Sequence, residues 1–274
     1  MPTPEQLPGS ASPIRITSRI QPQHHPYAQQ RAAWIASDEL GADAILNWDH
    51  FYPLSGDPDG TSLEAYTLLA AMAEVTERAQ IGCLVTCNSY RNPNLLADMA
   101  RTIDHISGGR FMLGIGSGWF ERDYDEYGYP FGTAASRLKD LARDLPIIEA
   151  RLAKLNPGPV NGHIPLMIGG SGERVTLRLV AKHADIWHVN GDVETIAHKT
   201  GVLNDWCAKE GRDPNAIERS TGLTPAEQAD IDRYIALGVT HFTINAPDDK
   251  SGDYDLGFLR EMLQWRDARN TPAG

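Results

Sequence analysis

Two short stretches hold the side chains best suited to chemistry. In Trp48-Asp49-His50 an imidazole directly follows a carboxylate. Histidine titrates near neutrality, so His50 can give or take a proton at working pH and is the foremost acid–base candidate. Neighbours on an extended chain point to opposite sides, so Asp49 and His50 need not pair, and both could equally bridge loops. In Gly169-Gly170-Ser171-Gly172 a glycine cluster joins an apolar run to a helical pattern. Free N–H groups at such a junction suit a phosphate or carboxylate, and Arg174 and Arg178, one turn apart, could add charge. Tight-turn geometry alone would also call for these glycines. A third stretch, Ser107 to Trp119, runs from a glycine pair through an apolar segment into Gly116-Ser117-Gly118. Glycine there lets the main chain approach a flat ligand.

Other chemistries lack their residues. His24-His25, His50 and His188 show no paired metal-ligand spacing. The six lysines, Lys139, Lys154, Lys182, Lys199, Lys209 and Lys250, fall on helical or outer-loop patterns, so no Schiff-base nucleophile stands out. There is no Gly-x-Ser-x-Gly elbow and no Walker lysine. A net charge of −11 disfavours nucleic acid and anionic membrane as partners. Three cysteines without a disulfide framework suit a reducing cytosol, and a cytoplasmic protein is expected. No apolar run is long enough for a membrane span. Met1 to Pro13 lacks the charged start and apolar centre of a signal peptide and is expected to be a flexible tail.

Strand-like and helix-like patterns alternate along the rest of the chain. Strands are expected at 14–20, 42–47, 79–86, 110–115, 165–168, 185–189, 217–221 and 239–244. Helices are expected at 27–40, 63–77 with Ser62 as cap, 92–106, 133–155, 173–183, 193–210, 225–237 and 256–269. Strands that alternate with longer helices imply right-handed parallel crossovers. Eight such units close most naturally into an α/β, single (β/α)8 TIM barrel spanning residues 14–274. A doubly wound open sheet is the alternative, because the seventh strand is weakly marked.

In such a barrel the chemistry belongs to the loops after the strands. This filter gathers Gln21, His24 and His25 after the first strand, and Trp48, Asp49 and His50 after the second. Asn88, Tyr90 and Arg91 follow the third, and Ser117, Trp119, Glu121 and Arg122 the fourth. The glycine cluster follows the fifth, His188 and Asn190 the sixth, and Asn245 the eighth. Trp48, Trp119 and Trp187 lie at strand ends, where a planar cofactor or apolar substrate would stack, whereas Trp34, Trp206 and Trp265 fall on helical patterns and suit packing.

The runs Ile81 to Pro93 and Asp104 to Trp119, with Trp48-Asp-His-Phe51, Gly169-Gly-Ser-Gly172 and Ala184-Asp-Ile-Trp187 in the same order, resemble the luciferase-like monooxygenase superfamily. Within it the chain is most similar to the coenzyme F420-dependent oxidoreductases, and the likeness covers about Ile14 to Asn190. It implies an eight-stranded α/β barrel with a deazaflavin or flavin across the strand mouths. Asp49 and His50 match the ring-facing pair, with His50 as proton donor or acceptor. Leu84 and Val85 match the position of a non-prolyl cis peptide that supports the ring. Thr86, Asn88, Gly116, Ser117 and Gly118 fall at cofactor-contact positions, and Gly169, Gly170, Gly172 and the backbone of Glu173 at the phosphate cradle. His24, Trp48, Trp119 and Trp187 would form the substrate pocket. Two departures stand out. Trp119 occupies a place where some members carry a carboxylate, so a two-group acid–base mechanism does not carry over. The insertion after the fourth helix is nearly absent, with only Asn156 to Ile164 between helix and strand, which implies an open pocket or one covered by a partner subunit.

The expected function is a coenzyme F420-dependent oxidoreductase that moves a hydride between the deazaflavin C5 and a small organic substrate, as a homodimer. The nearest rival is an FMN-dependent monooxygenase. A non-catalytic flavin- or deazaflavin-binding protein and a phosphate-binding barrel isomerase are further alternatives.

Overall fold

The computed structural model describes residues 13–248 and 252–270. The expected tail, through residue 12, and Lys250 lie outside them. In chain order the strands are β1 (Arg15–Arg19), β2 (Ala44–Asn47), β3 (Gln80–Cys83), β4 (Thr86–Cys87), β5 (Phe111–Gly116), β6 (Leu166–Gly169), β7 (Ile186–His188), β8 (Glu218–Gly222) and β9 (Val239–Asn245). The helices are α1 (Tyr27–Glu39), α2 (Ala65–Val75), α3 (Pro93–Ile106), α4 (Glu121–Tyr127), α5 (Ala134–Leu152), α6 (Thr176–His183), α7 (Val193–Glu210), α8 (Ile231–Ala236) and α9 (Gly257–Asn270).

All named strand pairings are parallel, and they run β3-β2-β1-β9-β8-β7-β6-β5 before β5 returns to β3. The ring is therefore closed, and the open-sheet alternative is excluded. The third barrel strand is in two pieces. β3 and β4 both pair with β5, and the cis peptide bond Leu84–Val85 lies between them. Counted as one, they leave an eight-stranded barrel.

Strand alternation sorts the side chains into two apolar bodies. Ile16, Ile45, Ile81, Leu113, Ile168, Trp187, Phe242 and Ile244 face the helices and join the main core. Ala44, Leu46, Leu84, Met112, Met167 and Ile186 pack inside the barrel. The interior is not apolar throughout. Thr17 Oγ1 meets His241 Nε2 at 2.5 Å and His188 Nδ1 meets Ser220 Oγ at 3.0 Å, so the β1, β7, β8 and β9 side carries polar groups.

Three helix starts are capped by the side chains that local chemistry favours, and two expected starts are displaced. Asn92, Thr133 and Asp192 cap α3, α5 and α7 through their side chains. For α2 the cap is the Glu64 carboxylate, which accepts from Tyr66 N and Thr67 N; Ser62 instead donates to the His50 carbonyl. The α6 helix begins at Thr176 rather than at Glu173, so residues 170–175 form a loop. The α4 helix is an element that periodicity missed. Among the described residues no helix is long and apolar enough to cross a membrane.

Candidate active site

A cavity of about 420 Å³ opens at the carboxyl ends of the strands. That volume lies within the range of small-molecule and cofactor sites. Its floor is main chain and aliphatic side chain at Leu84 and Val85. Gly116 and Gly169 make this floor possible, since a Cβ on either would stand 2.9 or 3.0 Å from a Val85 methyl. Gly118, at φ +79°, is closed in by the Tyr124 hydroxyl and the Cys87 sulfur. The walls come from Trp48, Asp49 and His50 after β2, Thr86 in β4, Gly118 and Trp119 after β5, and Gly169 and Gly170 at the end of β6.

His50 is held from behind. Its Nδ1 lies 2.9 Å from Asp123 Oδ2 on α4, and Asp123 is fully buried. A carboxylate only accepts, so Nδ1 carries the proton and Nε2 is the nitrogen left for the cavity. Asp123 is itself fixed by Tyr90 Oη at 2.9 Å and by the amides of Phe51 and Tyr52 at 3.2 and 3.1 Å. Burial and the neighbouring Asp123 charge push the Tyr90 hydroxyl far above its ordinary range, so Tyr90 remains a donor. Three aromatic rings, Trp48, Trp119 and Phe120, stand edge-on to the imidazole with centroids 5.8, 5.5 and 5.5 Å away.

Asp49 turns away from His50, as extended-chain geometry requires. Arg91 grips it through Nη1 at 2.6 Å and Nη2 at 2.9 Å, and Cys87 N donates at 3.0 Å. Burial raises the Asp49 carboxyl above its ordinary value against the pull of Arg91, while Asp49 keeps Arg91 firmly protonated. Such a bidentate pair fixes both planes. Arg91 also lies over the Tyr66 ring at 4.2 Å, and Tyr66 Oη meets Thr86 Oγ1 at 2.8 Å. Asp49 and Thr86 are thus positioned through one network.

Not every expected residue reaches the cavity. Trp187 is fully buried on the helix-facing side of β7, where its Nε1 donates to Gly170 O at 2.8 Å. It supports the glycine loop and does not contact a ligand space. The His24 ring packs on Gly56 and Gly60, with Nε2 2.7 Å from Ser55 O, away from the cavity. The Asn88 side chain donates to Asp144 Oδ2 at 2.8 Å and faces α5. Ser117 precedes the lining glycine without lining the cavity itself. Gly172 abuts Thr176, and the Glu173 carboxylate turns outward to His198 and Lys199 at 3.0 and 2.5 Å. Arg178 pairs with Glu210. The loop contributes Gly169, Gly170 and Ser171. Neither Arg174 nor Arg178 lines the cavity.

Two contributors escaped the sequence reading: Asp123, in the acidic-aromatic segment after β5, and Arg19, which ends β1. His188 and Asn190, gathered after the sixth strand, line the cavity together with Arg19. Burial, and then the charge of Arg19, depress His188 to a pKa of about 3, so it is neutral at physiological pH. Among the described residues no group of three or more His, Cys, Asp or Glu is arranged to hold a metal ion.

Comparison with known proteins places this architecture. The family model described as luciferase-like monooxygenase matches residues 9–260. An uncharacterised protein of Mycobacterium tuberculosis is 27% identical over 223 residues, covering 74% of this chain and 78% of that protein. The structure of an F420-dependent secondary alcohol dehydrogenase, in complex with an F420–acetone adduct, aligns with a TM-score of 0.76 at 14% identity, covering 85% of this chain and 93% of that one. The oxygenating constituent of a type II Baeyer–Villiger monooxygenase of Pseudomonas putida, in complex with FMN, aligns with a TM-score of 0.62 at 17% identity, covering 77% and 67%. At these identities the two solved structures share the fold with this chain.

Proposed function

Because the chain belongs to the luciferase-like monooxygenase family, we propose that it is an oxidoreductase using coenzyme F420 and acting on a small organic substrate. One observation carries the reading: a histidine locked by a buried carboxylate faces a cavity floored by the main chain and aliphatic side chains of Leu84 and Val85. Val85, Thr86, Gly118, Gly169 and Gly170 are the residues that would hold the cofactor. The apolar floor at Leu84 and Val85 suits a flat ring system, and the glycines on β5 and β6 leave the room that the Val85 side chain takes. When bound, the cofactor supplies the hydride acceptor or donor, and the protein supplies orientation.

The protein's own part is then a single proton. In the oxidising direction a substrate carbinol loses hydride from carbon and a proton from oxygen, and His50 Nε2 takes that proton. In reverse the same nitrogen returns it. Asp123 sets the tautomer that makes this possible and is a positioning residue. Trp119, 62% exposed at the rim, shapes the entrance. F420-dependent relatives of the same fold support the deazaflavin. The FMN-bound neighbour supports a second reading, an FMN-dependent monooxygenase built on the same floor.

Titration of the apoprotein with deazaflavin and with FMN, read by fluorescence quenching, tests the cofactor. Tight binding of FMN alone would transfer the assignment to the second reading. His50→Ala should lower turnover by about 10²–10⁴-fold with cofactor affinity retained; unchanged turnover removes His50 from the mechanism.

A further inference from the structure

Arg19 is the cationic side chain of this cavity, and among the described residues it has no ion-pair or side-chain hydrogen-bond partner. Strand parity turns it inward with Thr17, and it ends β1 at the cavity wall. Its guanidinium lies 5.3 Å from the Trp48 ring centroid. Among the described residues it makes no ion pair, and its Nε is buried without an acceptor, as is the Nε1 of Trp48. The carboxylate that lines the same cavity, Asp49, is occupied by Arg91. Arg19 is half-buried, and leaving its buried Nε and the Trp48 Nε1 without acceptors is costly, so this corner has donors in excess and is poised for an acceptor from outside the chain.

The surroundings are arranged to admit one. Arg19 and Asn190 also line a neighbouring pocket of about 270 Å³ between the ends of β8 and β9, with Thr224, Thr243 and Asn245. The Glu227 carboxylate in that pocket is already engaged by Thr224 N and Oγ1 at 2.9 and 2.7 Å. His188, beside Arg19, adds no positive charge.

Position in the ring assigns the ligand. β1 and β6 are diametrically opposed, with three strands between them in either direction once β3 and β4 are counted as one. The glycine loop that would cradle a cofactor is therefore on the far wall. Trp48 is in reach of both Arg19 and His50, with the Arg19 guanidinium 5.3 Å and the His50 imidazole 5.8 Å from its ring centroid. Resting on the oxidoreductase reading above, we propose that Arg19 anchors a carboxylate carried by the substrate, whose reacting carbon lies across Trp48 beside His50. The planar guanidinium fork matches a two-oxygen carboxylate, and a buried charge-assisted pair rejects a neutral amide of the same shape. The substrate class is thus a small organic acid with a redox-active carbon distant from its carboxylate.

Benzoate and pentanoate, each against its own amide, are titrated by calorimetry into wild type, Arg19→Gln and Arg19→Lys, with cofactor quenching measured separately. The acids should bind wild type about tenfold or more tightly than the amides. Arg19→Gln should erase that preference at unchanged cofactor affinity, and Arg19→Lys should restore part of it. Equal binding of acid and amide to wild type overturns the proposal, as does an acid preference that survives in Arg19→Gln. Parallel loss of cofactor affinity would give Arg19 to the cofactor instead, and displacement of benzoate by a tenth as much inorganic phosphate would make the anion a phosphate; either result also overturns it. Should Arg19→Gln fail to fold, the wild-type comparison and Arg19→Lys still decide. If neither deazaflavin nor FMN binds, the oxidoreductase reading fails on its own, while the acid–amide comparison still judges Arg19.

Discussion

Asp123→Asn separates a proton-handling His50 from a merely packed one. Four donors converge on the Asp123 carboxylate: His50 Nδ1 and Tyr90 Oη on Oδ2, and the amides of Phe51 and Tyr52 on Oδ1. Asparagine offers one carbonyl and one NH₂ in the same space. If the NH₂ faced the two backbone amides, both would be buried without an acceptor, at about 1–3 kcal/mol each. The carbonyl is therefore expected to keep Phe51 and Tyr52, and the NH₂ to face His50 and Tyr90. His50 can then pair only by accepting at Nδ1, which moves its proton to Nε2. The nitrogen facing the cavity becomes a donor and can no longer take a proton. Turnover in the oxidising direction should fall by about 10²–10⁴-fold, the contribution of a positioned general base. Cofactor affinity should hold, because Asp123 does not line the cavity. Nitrogen-15 spectra of histidine-labelled protein report the tautomer directly, without any substrate. Retention of the Nδ1–H form together with turnover within about twofold of wild type would refute the reasoning. So would a loss of cofactor affinity as large as the loss of turnover, because Asp123 would then shape the cavity rather than orient the base.

Two other perturbations probe the walls. Gly118→Ala places a methyl against the Tyr124 hydroxyl and the Cys87 sulfur at φ +79°; overpacking and the left-handed backbone should cost about 2–4 kcal/mol, read as a lowered melting temperature and weaker cofactor quenching. His188 is held neutral in the folded chain down to a pKa of about 3, against about 6.5 unfolded, so the unfolded state binds the extra proton between these values. Stability should therefore fall as pH falls through that window, and His188→Gln should flatten this part of the profile in urea titrations at pH 7, 5.5 and 4.5; an unchanged slope would show that His188 is protonated in the fold.

The barrel was legible because each strand carries its own boundary. Apolar runs such as Phe111 to Ile115 end in glycine, and in the structure Asn92, Thr133 and Asp192 cap the starts of three helices. What blurred was local. Residues 79–86 read as one strand, yet the pairing with β5 is split around Leu84–Val85, which no propensity marks. Glu121–Tyr127 has two buried side chains, Asp123 and Tyr124, so α4 shows no apolar stripe. Ser62 is an apt cap by type, but Glu64 sits two residues closer to the helix and its carboxylate meets two amides at once.

The site was legible where function sits on consecutive residues and obscure where it depends on alternation and distance. Asp49, His50 and Gly169 adjoin strand ends in sequence and in space. Trp187 also adjoins a strand end, but strict period-two alternation places it on the face opposite Ile186 and His188, and applying that rule would have moved it from the pocket to the core. The same rule, applied to Ile16 and Ile20 as outward residues, turns Arg19 inward from sequence alone. It cannot say that Arg19 lacks a counter-ion. That depends on Arg91 claiming Asp49 across 42 residues and on Thr224 claiming Glu227. An unpaired charge is a property of how every nearby acid is already committed, so the residue most informative about the substrate is the one a motif search is least equipped to find.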